Sequence, residues 1–211
     1  MALSDPYPLA FLSAILTPVA DCAFSLSRFE EQSGSGNGQQ WTAQLATPLW
    51  QVSLSLGPRH WEAAREINAK LQALGSMRSL LFADGSYSPA NGQAAGSGVT
   101  ISAIGSDRTT IALTGLPAGY RIAAGDRLSI THSSGRYYFG MFSDHDTANG
   151  SGVATAIPVD PPLPLPIAFG AAVRIEQPII RARVPAGNFT PFTDQPGRLS
   201  TGASLTLIQK L

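Results

Sequence analysis

The chain carries little charge, a single cysteine and no long apolar run, and each shortage removes a class of function. Of its 211 residues, 14 are Lys or Arg and 14 are Asp or Glu, so the formal net charge is zero. Charged residues make up 13% of the sequence, about half the usual share in soluble proteins. A neutral, sparsely charged surface offers little to a phosphate backbone or an anionic bilayer, so neither nucleic acid nor membrane is expected as a partner. It also lacks the repulsion that keeps copies of a protein apart, which favours self-association. The lone Cys22 excludes an intrachain disulfide framework and suits a reducing cytosol. The apolar stretch Leu9–Ala20 is interrupted by Pro18, and no Lys or Arg precedes it. A membrane helix needs roughly 18 apolar residues and a signal peptide needs a positive leading segment. The stretch is expected to be a buried N-terminal segment of a protein that is neither secreted nor membrane-bound.

What the chain has in quantity is glycine (21) and proline (16), spread between short apolar runs, the pattern of many strands joined by turns. Asp21–Phe29 alternates and reads as a strand; Glu30–Gln39 is polar and Gly/Ser-rich and reads as a flexible loop. Trp41–Ala46 and Leu49–Leu56 are strands separated by Thr47 and Pro48. In the second, Trp50, Val52, Leu54 and Leu56 occupy one face. Trp41 and Trp50 are both expected in the core. One helix stands out: Trp61, Ala64, Ile67, Leu71 and Leu74 form a single stripe, with Pro58 suited to its first turn. Glu66 and Lys70 pair on the other side, and Gly75 is placed for a left-handed cap. Met77–Phe82 reads as a strand, so the helix covers one face of a sheet.

Ser88–Gly98 has no large apolar residue and marks a boundary. Beyond it, six short strands between Val99 and Glu176 read as a small barrel or sandwich, with a hairpin turning at Ser133–Ser134–Gly135. Ile179–Val184 and a patterned terminal run, Leu199–Ile208, follow, and the last pairs with the first sheet. The expected fold is therefore mainly β with one α-helix: a β-sandwich with a flanking helix from residues 1–88 and 177–211, and an inserted small β-barrel or sandwich at 98–176.

No constellation of catalytic, cofactor-binding or metal-ligating residues is legible. The densest polar cluster, Ser143-Asp144-His145-Asp146 with Asn149, has Ala148 at the fifth position from Asp144 and no closing Glu, so it fails as a calcium loop and reads as Asx turns. His60, His132 and His145 lack zinc spacing. No Gly-x-Ser-x-Gly elbow is present, and neither Gly-rich segment leads into Gly-Lys-Ser/Thr. The expectation is a non-enzymatic protein without cofactor or metal. Interface candidates are Arg174, Arg181 and Arg183, a local basic stripe near Glu176, and Phe189 and Phe192 in the long loop before Gly197. Tyr137 and Tyr138 in the barrel region suit stacking on sugar faces, so a saccharide-binding or adaptor module without catalysis is the alternative reading.

The run Trp50–Leu54 through Trp61 to Leu74-Gly75 and Leu80-Leu81-Phe82 resembles the first domain of phage tail-tip proteins. So does Leu116-Pro117 with Ala124-Gly125-Asp126-Arg127-Leu128-Ser129-Ile130 and Tyr137-Tyr138-Phe139, followed by Gly150–Gly152 and Pro161-Pro162. Across residues 40–176 the chain is similar to the distal tail or minor tail proteins of long-tailed bacteriophages. That resemblance implies a virion structural protein, made in the host cytoplasm. It implies a homo-oligomeric ring, commonly a hexamer, that joins the tail tube and hub to the host-recognition apparatus.

Overall fold

The structure, a computed structural model, describes residues 5–11, 19–34, 36–132 and 135–211. Most of the Leu9–Ala20 segment, and the turn at Ser133–Ser134, lie outside the described residues. Among the described residues the chain is mainly β, with one complete helix. β1 (Val19–Gly34) and β2 (Gln40–Leu56) form a long hairpin; β3 (Arg59–His60) leads into the helix α1 (Trp61–Leu74), and β4 (Leu80–Phe82) follows. Next come β5 (Thr100–Ile104), β6 (Thr110–Thr114), β7 (Arg121–Ile122), β8 (Arg127–His132) and β9 (Arg136–Phe142). After these lie β10 (Asp146–Thr147), β11 (Ala154–Asp160), β12 (Val173–Arg174) and β13 (Ile180–Arg183). The chain ends with β14 (Phe189–Thr190), β15 (Thr193–Gln195), β16 (Leu199–Thr201) and β17 (Ser204–Gln209). Two compact units result, one of residues 1–17, 80–181 and 211, the other of residues 18–79 and 182–210. The Gly-rich stretch Ser88–Gly98 lies inside the first unit.

In the unit of residues 18–79 and 182–210, the antiparallel ladder runs β1, β2, β17, with Ala182 and Arg183 of β13 and Phe189 and Thr190 of β14 also paired to β17. Register places Val52 opposite Leu207 and Leu54 opposite Leu205. All four are buried, as are Trp50 and Leu56, so the alternation of the sequence becomes one solid face. α1 buries Ala64, Ile67, Leu71 and Leu74, and the Glu66–Lys70 ion pair forms at 2.5 Å on its exposed side. The helix begins at Trp61, later than Pro58, because Arg59 and His60 are drawn into pairing with Ser200 and Leu199. Gly75 follows with φ 62° and ψ −176°: its φ is positive, as glycine allows, but its ψ lies outside the expected left-handed helical cap. Met77 is exposed and the next strand starts only at Leu80, so the expected strand Met77–Phe82 is shorter by three residues.

The segment 185–198, expected as a loop, is a series of short strands. Phe192 is buried, and Asn68 on α1 holds its backbone from both sides. The Phe192 N–H donates to Asn68 Oδ1 at 3.1 Å, and Asn68 Nδ2 donates to the Phe192 carbonyl at 3.5 Å. Replacing Asn68 by Ala removes both bonds and leaves the Phe192 amide unpaired. The expected cost is about 1–2 kcal/mol, read from the midpoint of a denaturant titration.

The other unit contains an antiparallel barrel in the order β12, β8, β9, β11, β6, β5. It closes where Thr100 bridges Ala172, with Ile101 N–H bonded to the Ala171 carbonyl and Val173 N–H to that of Val99. Its core is apolar, built around Ile101, Leu113, Ile122, Leu128, Ile130 and Phe142. Tyr138 belongs to that core, 3% exposed, and donates its hydroxyl proton to the Pro161 carbonyl at 2.5 Å. Burial pushes that phenol far above its ordinary value. Arg108 braces the proline-rich segment after β11, donating from Nε to the Leu163 carbonyl and from Nη2 to those of Pro164 and Ile167.

Candidate functional site

Two features remain once packing is accounted for, and the first is the distal half of the β1–β2 hairpin. β1 and β2 are 16 and 17 residues long, yet β17 supports β2 only from Gln51 to Ser55. At that limit Gln209 takes over, its buried side-chain carbonyl accepting the Trp50 N–H at 3.1 Å. Register breaks follow on β1 between Ser27 and Phe29 and between Phe29 and Glu30, opposite the stretch Ala46–Leu49 that contains Pro48. Proline has no N–H to give to a ladder and is confined to such irregularities. Past this break every described residue of the hairpin, Arg28–Gly34 and Gly36–Thr47, is exposed. Glu30–Gly34 is therefore paired strand, with Glu30 opposite Gln44 and Ser33 opposite Trp41, and the expected flexible loop shrinks to the few residues between Gly34 and Gln40.

This arm is two-faced. Along β2, Trp41, Ala43 and Leu45 alternate with Gln40, Thr42 and Gln44; cross-strand pairing sets Gln32 beside Thr42 and Glu30 beside Gln44 on the polar face, and Ser33 beside Trp41 and Glu31 beside Ala43 on the other. Trp41 is 65% and Leu45 66% exposed, with Phe29 at 42% near the base. Trp50 lies in the core as expected, whereas Trp41 does not. An alternating strand is the signature of one buried face, and among the described residues nothing in this chain covers it. Among the described residues no third strand pairs with either outer edge of the arm, and a bare sheet edge is a template for another strand.

The second feature is a groove of about 790 Å³ on the barrel, bounded by β8, β9, β12 and the segment 87–97. That segment is held as a strap: Ala90 N–H bonds Asp126 Oδ1 at 2.8 Å, Asn91 Nδ2 bonds the Arg121 carbonyl at 2.7 Å, and Gly96 N–H bonds Glu176 Oε1 at 3.1 Å. At its start Asp84 is buried and pairs with Arg127 at 3.1 Å while accepting from the Ser86 amide and hydroxyl. Burial alone would raise the Asp84 carboxyl; the bonds from Ser86 and Arg127 outweigh it and hold it below the ordinary carboxylate value. Tyr87 accepts the Arg127 amide on its hydroxyl at 2.7 Å, and burial raises that phenol to about 12.

The residues singled out in the sequence are dispersed. Arg174 is exposed on β12 and lines the groove. Arg181 and Arg183 lie on a different strand, β13. Arg181 is largely covered and faces Asp5 at 3.9 Å, while Arg183 is exposed. The three do not share one strand face. Phe189 is half-buried on β14, and Phe192 is buried. Of the two tyrosines considered for sugar stacking, Tyr138 points into the barrel and only Tyr137 reaches the groove. The polar atoms of the 143–152 loop accept backbone amides: Asp146 those of Thr147 and Thr155, Asn149 those of Ser151 and Val153, and His145 Nδ1 that of Ala124. No group of three metal-ligating side chains occurs among the described residues, and no helix among them is long and apolar enough to cross a membrane.

Neither a protein-family model nor a curated protein matches the chain.

Proposed function

We propose that this chain is a non-enzymatic structural subunit that assembles with copies of itself, as a ring-forming component of a phage tail tip. The arm carries the assembling role. A two-stranded hairpin with no third layer is marginal in water, yet this one continues well past its support, with Trp41 and Leu45 exposed and, among the described residues, no third strand on either edge. A second copy is the occupant proposed for that face, because the chain as a whole carries no net charge to hold copies apart. Phe29, Trp41 and Leu45 supply the aromatic and aliphatic anchors that dominate subunit interfaces. The tail-tip setting rests on the likeness of the Trp50–Phe82 and Leu116–Pro162 segments to tail proteins. In that setting the ring is homo-oligomeric and its further partners are tube and hub proteins.

Mass photometry and light scattering of the full chain test this. The expected result is a discrete assembly above the monomer mass, which Trp41→Lys with Leu45→Lys returns to monomer without lowering the thermal midpoint. A strict monomer at about 100 µM, where contacts worth roughly 5.5 kcal/mol would be half-populated, overturns the proposal. So does an assembly indifferent to both lysines.

A further inference from the structure

We infer that the groove on the barrel is a binding site for a neutral oligosaccharide. Its volume of about 790 Å³ falls within the range of small-ligand sites, and its chemistry narrows the ligand. Thr131 and Tyr137 are directly paired across β8 and β9, so the half-buried phenol ring and a hydroxyl stand side by side on the outer face of the barrel. On the other side of β8, β12 sets Arg174 beside Ser129, and Glu176, Gln93 and Gln177 complete the polar lining, the last two as side-chain amides. Arg174 only donates hydrogen bonds, Glu176 as a carboxylate only accepts, and the amides and Thr131 do both. The single positive charge is offset by the single negative one two residues away. The groove therefore has no net preference for an anion or a cation.

A pyranose matches this set. Its hydroxyls donate and accept, it carries no charge, and its C–H face packs on an aromatic ring. The strap side of the groove begins at Tyr87, and beside Gln93 it presents the small residues Gly92, Ala94, Gly96 and Ser97, which leave room for a ligand to lie along it. The site is also built in advance. Ala95 is buried in the barrel core, and the strap is tied down through Asp126, Arg121 and Glu176. A ligand then binds without the cost of ordering a loop. This site is separate from the arm, so it stands or falls independently of self-assembly.

Isothermal titration calorimetry of the full chain with maltohexaose, cellohexaose and chitohexaose tests the assignment, with hyaluronan hexasaccharide and a neutral hexapeptide as the competing classes. At least one neutral hexasaccharide is expected to bind. Tyr137→Ala is expected to weaken it by about tenfold or more, while Tyr137→Phe keeps the ring and stays within about twofold, as stacking energies of this order imply. Arg174→Ala is expected to weaken it severalfold, and circular dichroism should show each variant folded. Absence of heat for all three neutral sugars at about 10 mM, beyond the weakest useful affinity, overturns the inference. Binding of the acidic sugar or the peptide alone, or neutral binding indifferent to Tyr137→Ala, overturns it equally.

Discussion

Gly152→Ala is expected to destabilise the barrel unit by about 3 kcal/mol, which the structure resolves into two additive causes. Gly152 sits at φ +72°, where a side chain is strained. It also lies so close to the Leu116 segment that a Cβ would run into the Leu116 carbonyl oxygen, with the carbonyl carbon and amide of Leu116 next nearest. All three are backbone atoms and have no rotamer by which to move aside. The contact is tight because the Leu116 N–H bonds the two segments together, donating to the Gly152 carbonyl at 3.2 Å, while the Gly152 N–H closes a turn on the Asn149 carbonyl at 2.9 Å. Leu116 itself is in the barrel core, so the clash is transmitted to packed side chains. Gly119 separates the causes. It has φ +73° but open space around the added Cβ, so Gly119→Ala is expected to cost only about 1 kcal/mol. Equal losses in the two variants, measured by chemical denaturation, would remove the steric part of the argument.

The second large effect is at Asp84. Its carboxylate is buried, pairs with Arg127 and accepts two bonds from Ser86. Asp84→Asn is expected to cost about 2–3 kcal/mol at pH 7, the penalty of leaving Arg127 beside a neutral partner. The pH dependence has a definite sign. The folded carboxyl lies below its ordinary value of 3.8, so the folded state binds its proton less readily than the unfolded chain. The contribution is complete above the unfolded value and is lost as pH falls through the folded one. The gap between wild type and Asp84→Asn should therefore be constant from neutral pH down to about 5 and close below about 4. A gap that persists undiminished at pH 2.5 would mean that shape, and not charge, carries the effect.

The elements that could be read from the sequence were those whose burial comes from their own periodicity. Leu49–Leu56, the stripe of α1 and Leu205 and Leu207 of the terminal run show which face is covered and lie where that pattern puts them, whereas the expected single run Leu199–Ile208 is broken into β16 and β17, which join different sheets. Glu30–Gly34 was misread for the opposite reason. Neither of its faces is buried, so it has no period-two signal, and only the ladder to β2 makes it a strand. Trp41 shows that alternation announces a face to be covered without saying which chain covers it. Phe192 and Asp84 are fixed by partners far along the chain, Asn68 and Arg127, and no local pattern carries such pairings. The two tyrosines are a finer case: adjacent residues on a strand face opposite ways, and the register opposite Ile130 sends Tyr138 inward and leaves Tyr137 outside. The groove needs a strap, a barrel wall and a register at once, so its composition is visible in the sequence only after the fold is known.

The register breaks around Phe29, opposite Pro48, have a geometric consequence. From there the arm runs about seven residues, or roughly 20 Å at the rise of a strand. A bend of about 20° at the base, within what a bulge imposes, therefore moves the tip by about 7 Å, more than the spacing between neighbouring strands. The local conformation at Phe29 and Pro48 acts as the fulcrum of a lever. It aims Trp41 from a distance, so a substitution at the base can redirect the exposed Trp41 face without touching it.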